Sequence, residues 1–162
     1  MKPRRSQIFM VALLLSSFAR GQEDWKKSDR KDIESVLTEY TEIFSMKAYE
    51  RLPDVCQTPF IQVTDRGTVV MKTMQEVIAS YRRSREALDA TGYKASRVTL
   101  ADTRISVLSP TRVLVNLPYG RYKADGSLLE RGSGYYILSK SSGKWRITGM
   151  LPQDPRQTGK VY

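Results

Sequence analysis

Ile33, Val36, Leu37, Tyr40, Ile43 and Phe44 recur at helical spacing, with Glu34, Ser35, Thr38, Glu39, Thr41 and Glu42 between them. This pattern predicts an amphipathic helix over residues 29–46 with a single buried stripe. A short second helical turn is expected at residues 48–52, stopped by Pro53. The stretch from Phe60 to Met71 then reads as two short strands around a turn at Asp65 to Gly67. Thr73 followed by Glu76 forms a capping box, in which hydroxyl and carboxylate each satisfy a backbone N–H left free at a helix start. The helix it opens should bury Met74, Val77, Ile78, Tyr81 and Leu88, end near Gly92, and carry Arg82, Arg83 and Arg85 mainly on its outer side.

Beyond residue 93 the apolar period falls from helical to alternating. Four segments rich in Val, Ile, Leu, Thr and Tyr cover residues 96–108, 112–122, 128–139 and 144–151, and short turns containing Pro110, Gly126 and Gly143 separate them. Turns this short suit an antiparallel meander. Helices first and hairpin-linked strands last predict an α+β domain, with the helices packed on one face of a curved antiparallel sheet.

The N-terminus follows another pattern. Lys2, Arg4 and Arg5 precede an apolar run from Ile8 to Ala19, and Ala19 and Gly21 place small residues where a signal peptidase reads them. Residues 1–21 therefore read as an export signal cleaved before Gln22, the apolar run being too short to span a bilayer. Residues 22–28 form a polar lead, 29–151 a single domain and 152–162 a tail. Losing Lys2, Arg4, Arg5 and Arg20 lowers the formal net charge from +10 to +6, leaving a modestly basic mature chain.

Composition removes several chemistries. The chain has no His, which excludes Ser-His-Asp and Cys-His catalysis and His-ligated zinc, and one Cys, which excludes an internal disulfide or a CxxC site. Cys56 reads as a small buried hydrophobe. No cofactor or metal motif is present. The glycines sit in hairpins and bulges without a strand-to-helix phosphate loop, and the arginines at 82, 83 and 85 lack the interleaved aromatics of a nucleic-acid surface, so no nucleic-acid partner is expected.

The run Gly134-Tyr-Tyr-Ile-Leu-Ser-Lys-Ser-Ser-Gly-Lys-Trp-Arg-Ile147 and the preceding Tyr119-Gly-Arg-Tyr-Lys-Ala-Asp-Gly126 resemble the closing strands of the NTF2-like superfamily, which includes the SnoaL-like domains. The order of elements is similar too, over residues 29–151. The resemblance implies a cone with an apolar pocket between helices and sheet. Candidates to line it are Tyr40, Phe60, Tyr81, Asn116, Tyr119 and Tyr135, although Pro118 and Gly120 imply a bulge that leaves the inward parity open. Trp145 is assigned to packing.

Ketosteroid isomerase, a member of that superfamily, uses a Tyr on its first helix and an Asp directly before a Pro. Val36-Leu-Thr-Glu-Tyr40 resembles the first feature, but Thr58 precedes Pro59, and a hydroxyl cannot serve as the base. Tyr40, Asp54 and Asp102 are the remaining catalytic candidates. Three readings follow: an exported binding or accessory domain for a small apolar ligand or a partner protein; an isomerase, cyclase or dehydratase using Asp and Tyr; or a structural homodimer formed through the sheet, its cavity filled.

The export reading makes a direct prediction. Expressed with its own N-terminus in a bacterium, the chain should be recovered outside the cytoplasm beginning within a few residues of Gln22. N-terminal sequencing that finds Met1 on exported protein would overturn it.

Overall fold

A computed structural model describes residues 27–153. The expected export signal, residues 22–26 of the polar lead and most of the tail lie outside the described residues, and the last two residues of the lead, Lys27 and Ser28, belong to the first helix. Helix α1 spans Lys27–Met46, a 3-10 turn covers Tyr49–Arg51, and a short helix α2 covers Leu52–Val55. Strands β1 (Cys56–Thr64) and β2 (Gly67–Met71) precede helix α3 (Met74–Asp89). Strands β3 (Tyr93–Val98), β4 (Arg104–Ser109), β5 (Arg112–Lys123), β6 (Leu128–Ser141) and β7 (Lys144–Pro152) follow. The helices pack on one face of a single curved sheet, the α+β cone that the resemblance implied.

The buried stripe of α1 is the expected one: Ile33, Leu37, Tyr40 and Ile43 are buried, with Val36 and Phe44 packed partly exposed beside them. Pro53 opens α2 instead of stopping a helix, because a residue without an N–H is tolerated in the first turn, where that donor has no partner. The capping box of α3 is present. Glu76 N–H donates to Thr73 Oγ1 at 3.3 Å, and Thr73 N–H donates to the Glu76 carboxylate at 3.1 Å.

Strand order is β2-β1-β7-β6-β5-β3, with β4 also on β5. Two features depart from a plain antiparallel meander. The expected strand over 96–108 is broken by a 3-10 turn at Leu100–Asp102, so that β4 pairs with the first half of β5 and β3 with the second. The switch falls at Pro118, which has no N–H for a continuous ladder and instead accepts from Thr99 N–H at 3.0 Å. The sheet is also mixed, because β1 runs parallel to β7. Their backbones approach closely at Gly149, where an added Cβ would stand 2.9 Å from the Ile61 carbonyl oxygen.

Arg85 is the main correction to the helix faces. Arg82 and Arg83 are exposed as expected, but Arg85 is 4% exposed and lies on the inner side of α3. Its Nη1 donates to the Phe44 and Ser45 carbonyls at 2.7 and 2.6 Å, and its Nε donates to Asp89 at 2.7 Å. The guanidinium lies 4.6 Å from the Tyr93 ring centre, and Nη2 donates to the Lys94 carbonyl at 3.3 Å. At the other end of α1, the buried Asp29 accepts from Trp145 Nε1 at 2.9 Å and Lys140 Nζ at 2.6 Å, so the packing role assigned to Trp145 includes a polar tether.

Acidic residues are concentrated in the helical layer. Glu130 is the only acidic residue on any of the described strands, whereas Asp29, Asp32, Glu34, Glu39 and Glu42 all fall on α1. The pairing registers place Arg97, Arg104, Arg112, Arg131, Lys144 and Arg146 on the sheet face turned away from the helices.

These contacts rank three substitutions in urea unfolding. Trp145→Ala should cost about 3–5 kcal/mol through the lost ring volume. Arg85→Ala should cost at least about 2 kcal/mol, since the Ser45 carbonyl loses its donor, the Phe44 carbonyl keeps only a long bond from Lys47 N–H, and the packing on Tyr93 is lost. Arg83→Ala should stay within about 0.5 kcal/mol, and equal losses for Arg83→Ala and Arg85→Ala would contradict the assigned helix faces.

Candidate functional site

Between α1, α3 and the inner sheet face lies a cavity of about 180 Å³. Inward parity on β5 runs Val113, Val115, Leu117, Tyr119 and Arg121, and the register holds until a shift between Arg121 and Tyr122. The irregularity expected near Pro118 and Gly120 thus falls just beyond the pocket wall.

This parity distributes the sequence candidates. Tyr40 and Tyr81, from α1 and α3, and Tyr119 line the cavity. Phe60 is fully buried behind it, its ring centre 6.3 Å from that of Tyr81, and contributes to the wall's support instead of its surface. Asn116 and Tyr135 pair with each other on the opposite sheet face, where Asn116 Nδ2 donates to Gln153 Oε1 at 3.3 Å. Asp54 on α2 and Asp102 on the 3-10 turn after β3 are exposed, and neither reaches the cavity. Cys56 is buried and unpaired, and burial pushes its thiol up to about 12.

Phe44, Arg121, Tyr136 and Met150 are among the lining residues that sequence reading missed. Tyr136 rather than its neighbour Tyr135 faces inward, and its ring centre is 5.5 Å from that of Tyr40 in an edge-to-face arrangement. A signal for this parity was available at Gly132 and Gly134, two glycines two residues apart on β6. A Cβ at Gly132 would meet the Tyr119 hydroxyl at 2.8 Å, and one at Gly134 would meet the Tyr136 ring at 3.3 Å. Small residues on one strand face make room for large rings on that same face.

The phenols form a hydrogen-bonded chain. Tyr81 Oη donates to Tyr40 Oη at 2.8 Å, and Tyr40 Oη in turn lies 3.8 Å from the Met150 sulfur. Burial, reinforced by the neighbouring tyrosines, raises the pKa of Tyr40 well above the ordinary phenol value; for Tyr81 and Tyr136 burial is again the largest cause of a rise. All three are neutral hydroxyls at physiological pH. Among the lining residues there is no Asp, Glu or Cys, and Arg121 is the one charged side chain.

The element order, the mixed sheet and the cavity under two helices agree with the family that the sequence itself shows. The chain belongs to the family described as NTF2-like protein (DUF6841), which matches residues 29–155. Its fold is shared by a protein of unknown function with a cystatin-like fold from Nostoc punctiforme, at TM-score 0.65 and 12% identity over 80% of this chain and 94% of that one. An NTF2-like protein from Novosphingobium aromaticivorans is similar at TM-score 0.60 and 14% identity, covering 91% of this chain and 96% of its own. An NTF-2 like protein of unknown function from Shewanella oneidensis matches at TM-score 0.58 and 16% identity, over 76% and 98%. At these identities the likeness concerns the fold alone. No curated protein matches the chain in sequence.

The buried phenols give the NTF2-like domain a definite alkaline behaviour. A phenol whose folded pKa lies above its unfolded value of about 10 stabilises the fold fully below that pH, and this contribution is lost as pH rises through the folded pKa. Stability should therefore fall from about pH 10 upward, and phenolate absorbance should show Tyr40, Tyr81 and Tyr136 ionising only with unfolding. Tyr136→Phe should flatten the fall measured by urea titration between neutral and alkaline pH.

Proposed function

We propose that this NTF2-like domain is an exported binding or accessory protein that takes a small, mainly apolar molecule into its cone and performs no chemistry on it. One observation carries the reading: the cavity wall offers hydroxyls, aromatic rings and a guanidinium, but no group able to accept a proton near neutral pH. The nearest oxyanion stabilisers, Tyr40 and Tyr81, are hydrogen-bonded to each other, and the carboxylates of Asp54 and Asp102 stand outside. A positioned base contributes about 10²–10⁴-fold to a proton transfer. Without one, enolisation of the ketosteroid isomerase kind would have its stabiliser and lack its first step. Concave, mainly apolar sites with a few converging polar groups are the usual form of small-molecule sites. Export rests on the pattern of residues 2–21.

Two measurements test this. Native mass spectrometry of the mature protein should show an added small-molecule mass that denaturation releases unchanged, and that Ser84→Trp, which fills part of the cavity wall, prevents. A conjugating-enone assay should show no steroid isomerisation above background, and robust turnover would overturn the reading in favour of a base outside the present cavity wall.

A further inference from the structure

The cavity wall is neutral except at one point. Arg121 projects from β5 beside Tyr119, with its guanidinium 5.0 Å from that ring's centre, and its side chain is 25% exposed. Its ion-pair partner, Glu130, lies directly across the β5–β6 ladder and binds Nη1, but Glu130 itself is not part of the cavity wall. The counter-ion thus restrains the arginine from outside, while the guanidinium belongs to the surface that an occupant meets. A guanidinium carries five donors in a planar fork, and one carboxylate contact through Nη1 does not exhaust them. Ser96, opposite Arg121 on β3, and Ser80 and Ser84 on α3 line the same cavity. The remaining wall, with Phe44, Leu117, Tyr136 and Met150, is aromatic and aliphatic.

We propose that the cavity selects an amphiphile with an apolar, ring-sized body and a single anionic group, the body lying against the tyrosines and the anion against Arg121. This rests on the reading of the cavity as a binding site and adds the charge of its occupant. A neutral apolar molecule would leave the guanidinium facing hydrocarbon, at the cost of its solvation. An anionic group replaces that water with charge-assisted hydrogen bonds, which are the strong ones. A cationic ligand would meet a like charge whose counter-ion, Glu130, lies outside the wall.

Two naphthalene dyes of similar size separate the claims: the sulfonate 1-anilinonaphthalene-8-sulfonate and the uncharged N-phenyl-1-naphthylamine, titrated by fluorescence into the mature protein. The sulfonate should bind about tenfold more tightly than the neutral dye. Arg121→Leu should remove that preference by weakening the sulfonate while the neutral dye binds no less tightly than before, and Arg121→Lys, which keeps the charge, should retain most of it. Ser84→Trp should weaken both dyes, locating them in the cavity, and circular dichroism checks that each variant is folded. Equal affinity for the two dyes, or a sulfonate preference that survives Arg121→Leu, would overturn the assignment of Arg121 and leave the binding site standing. Failure of both dyes to bind would overturn the binding reading and this inference with it.

Discussion

The cone depends on a buried arginine at the end of a helix. The last carbonyls of α1 have no partner within the helix, and the chain just beyond it supplies only Ala48 N–H to Ile43 and a long 3.4 Å bond from Lys47 N–H to Phe44. Arg85 reaches across from α3 to satisfy two of them, turns its Nε to Asp89, and rests its face on Tyr93 of β3. It also supplies positive charge where the α1 dipole is negative, a place where α1 has no basic residue of its own in its last turn. The second tether, from Asp29 to Trp145 and Lys140, fixes the opposite end. With both ends of α1 held to other elements, the space between its middle and the sheet cannot collapse by a simple tilt of the helix, and the cavity lies there.

Much of the architecture was legible because it follows local rules. The stripe of α1, the Thr73–Glu76 box and the hairpins at Gly126 and Gly143 each need only neighbouring residues to be understood. What could not be read depends on partners far away in sequence. Arg85 looked like one more exposed base beside Arg82 and Arg83, since nothing within a few residues reveals the carbonyls of Phe44 and Ser45 forty positions earlier. The break at Leu100–Asp102 required knowing that Pro118 would lie opposite it. Both errors concern pairing and not propensity.

The site was half legible for the same reason. Tyr40 and Tyr81 followed from helix faces, and Tyr119 from its place on a strand, but the choice between Tyr135 and Tyr136 turned on one step of parity. Gly132 and Gly134 hold the answer, because residues whose missing side chains are occupied by Tyr119 and Tyr136 must face the same way as those rings. Asp54 and Asp102 were attractive for their chemistry alone. The structure places both in short helical turns at the surface, where a carboxylate is solvated.

The division of charge gives the molecule an electrical orientation. With the five acids of α1 partly offset by Lys27, Arg30 and Lys31, and with Arg97, Arg104, Arg112, Arg131, Lys144 and Arg146 on the far side of the sheet, the more positive side of the domain is a broad face. Such a field acts before contact, turning the protein as it nears a charged surface and weakening as salt is added. Two copies approaching sheet to sheet would bring positive against positive, a repulsion that salt screens. A negative surface, by contrast, would favour approach sheet first, with the helices outward.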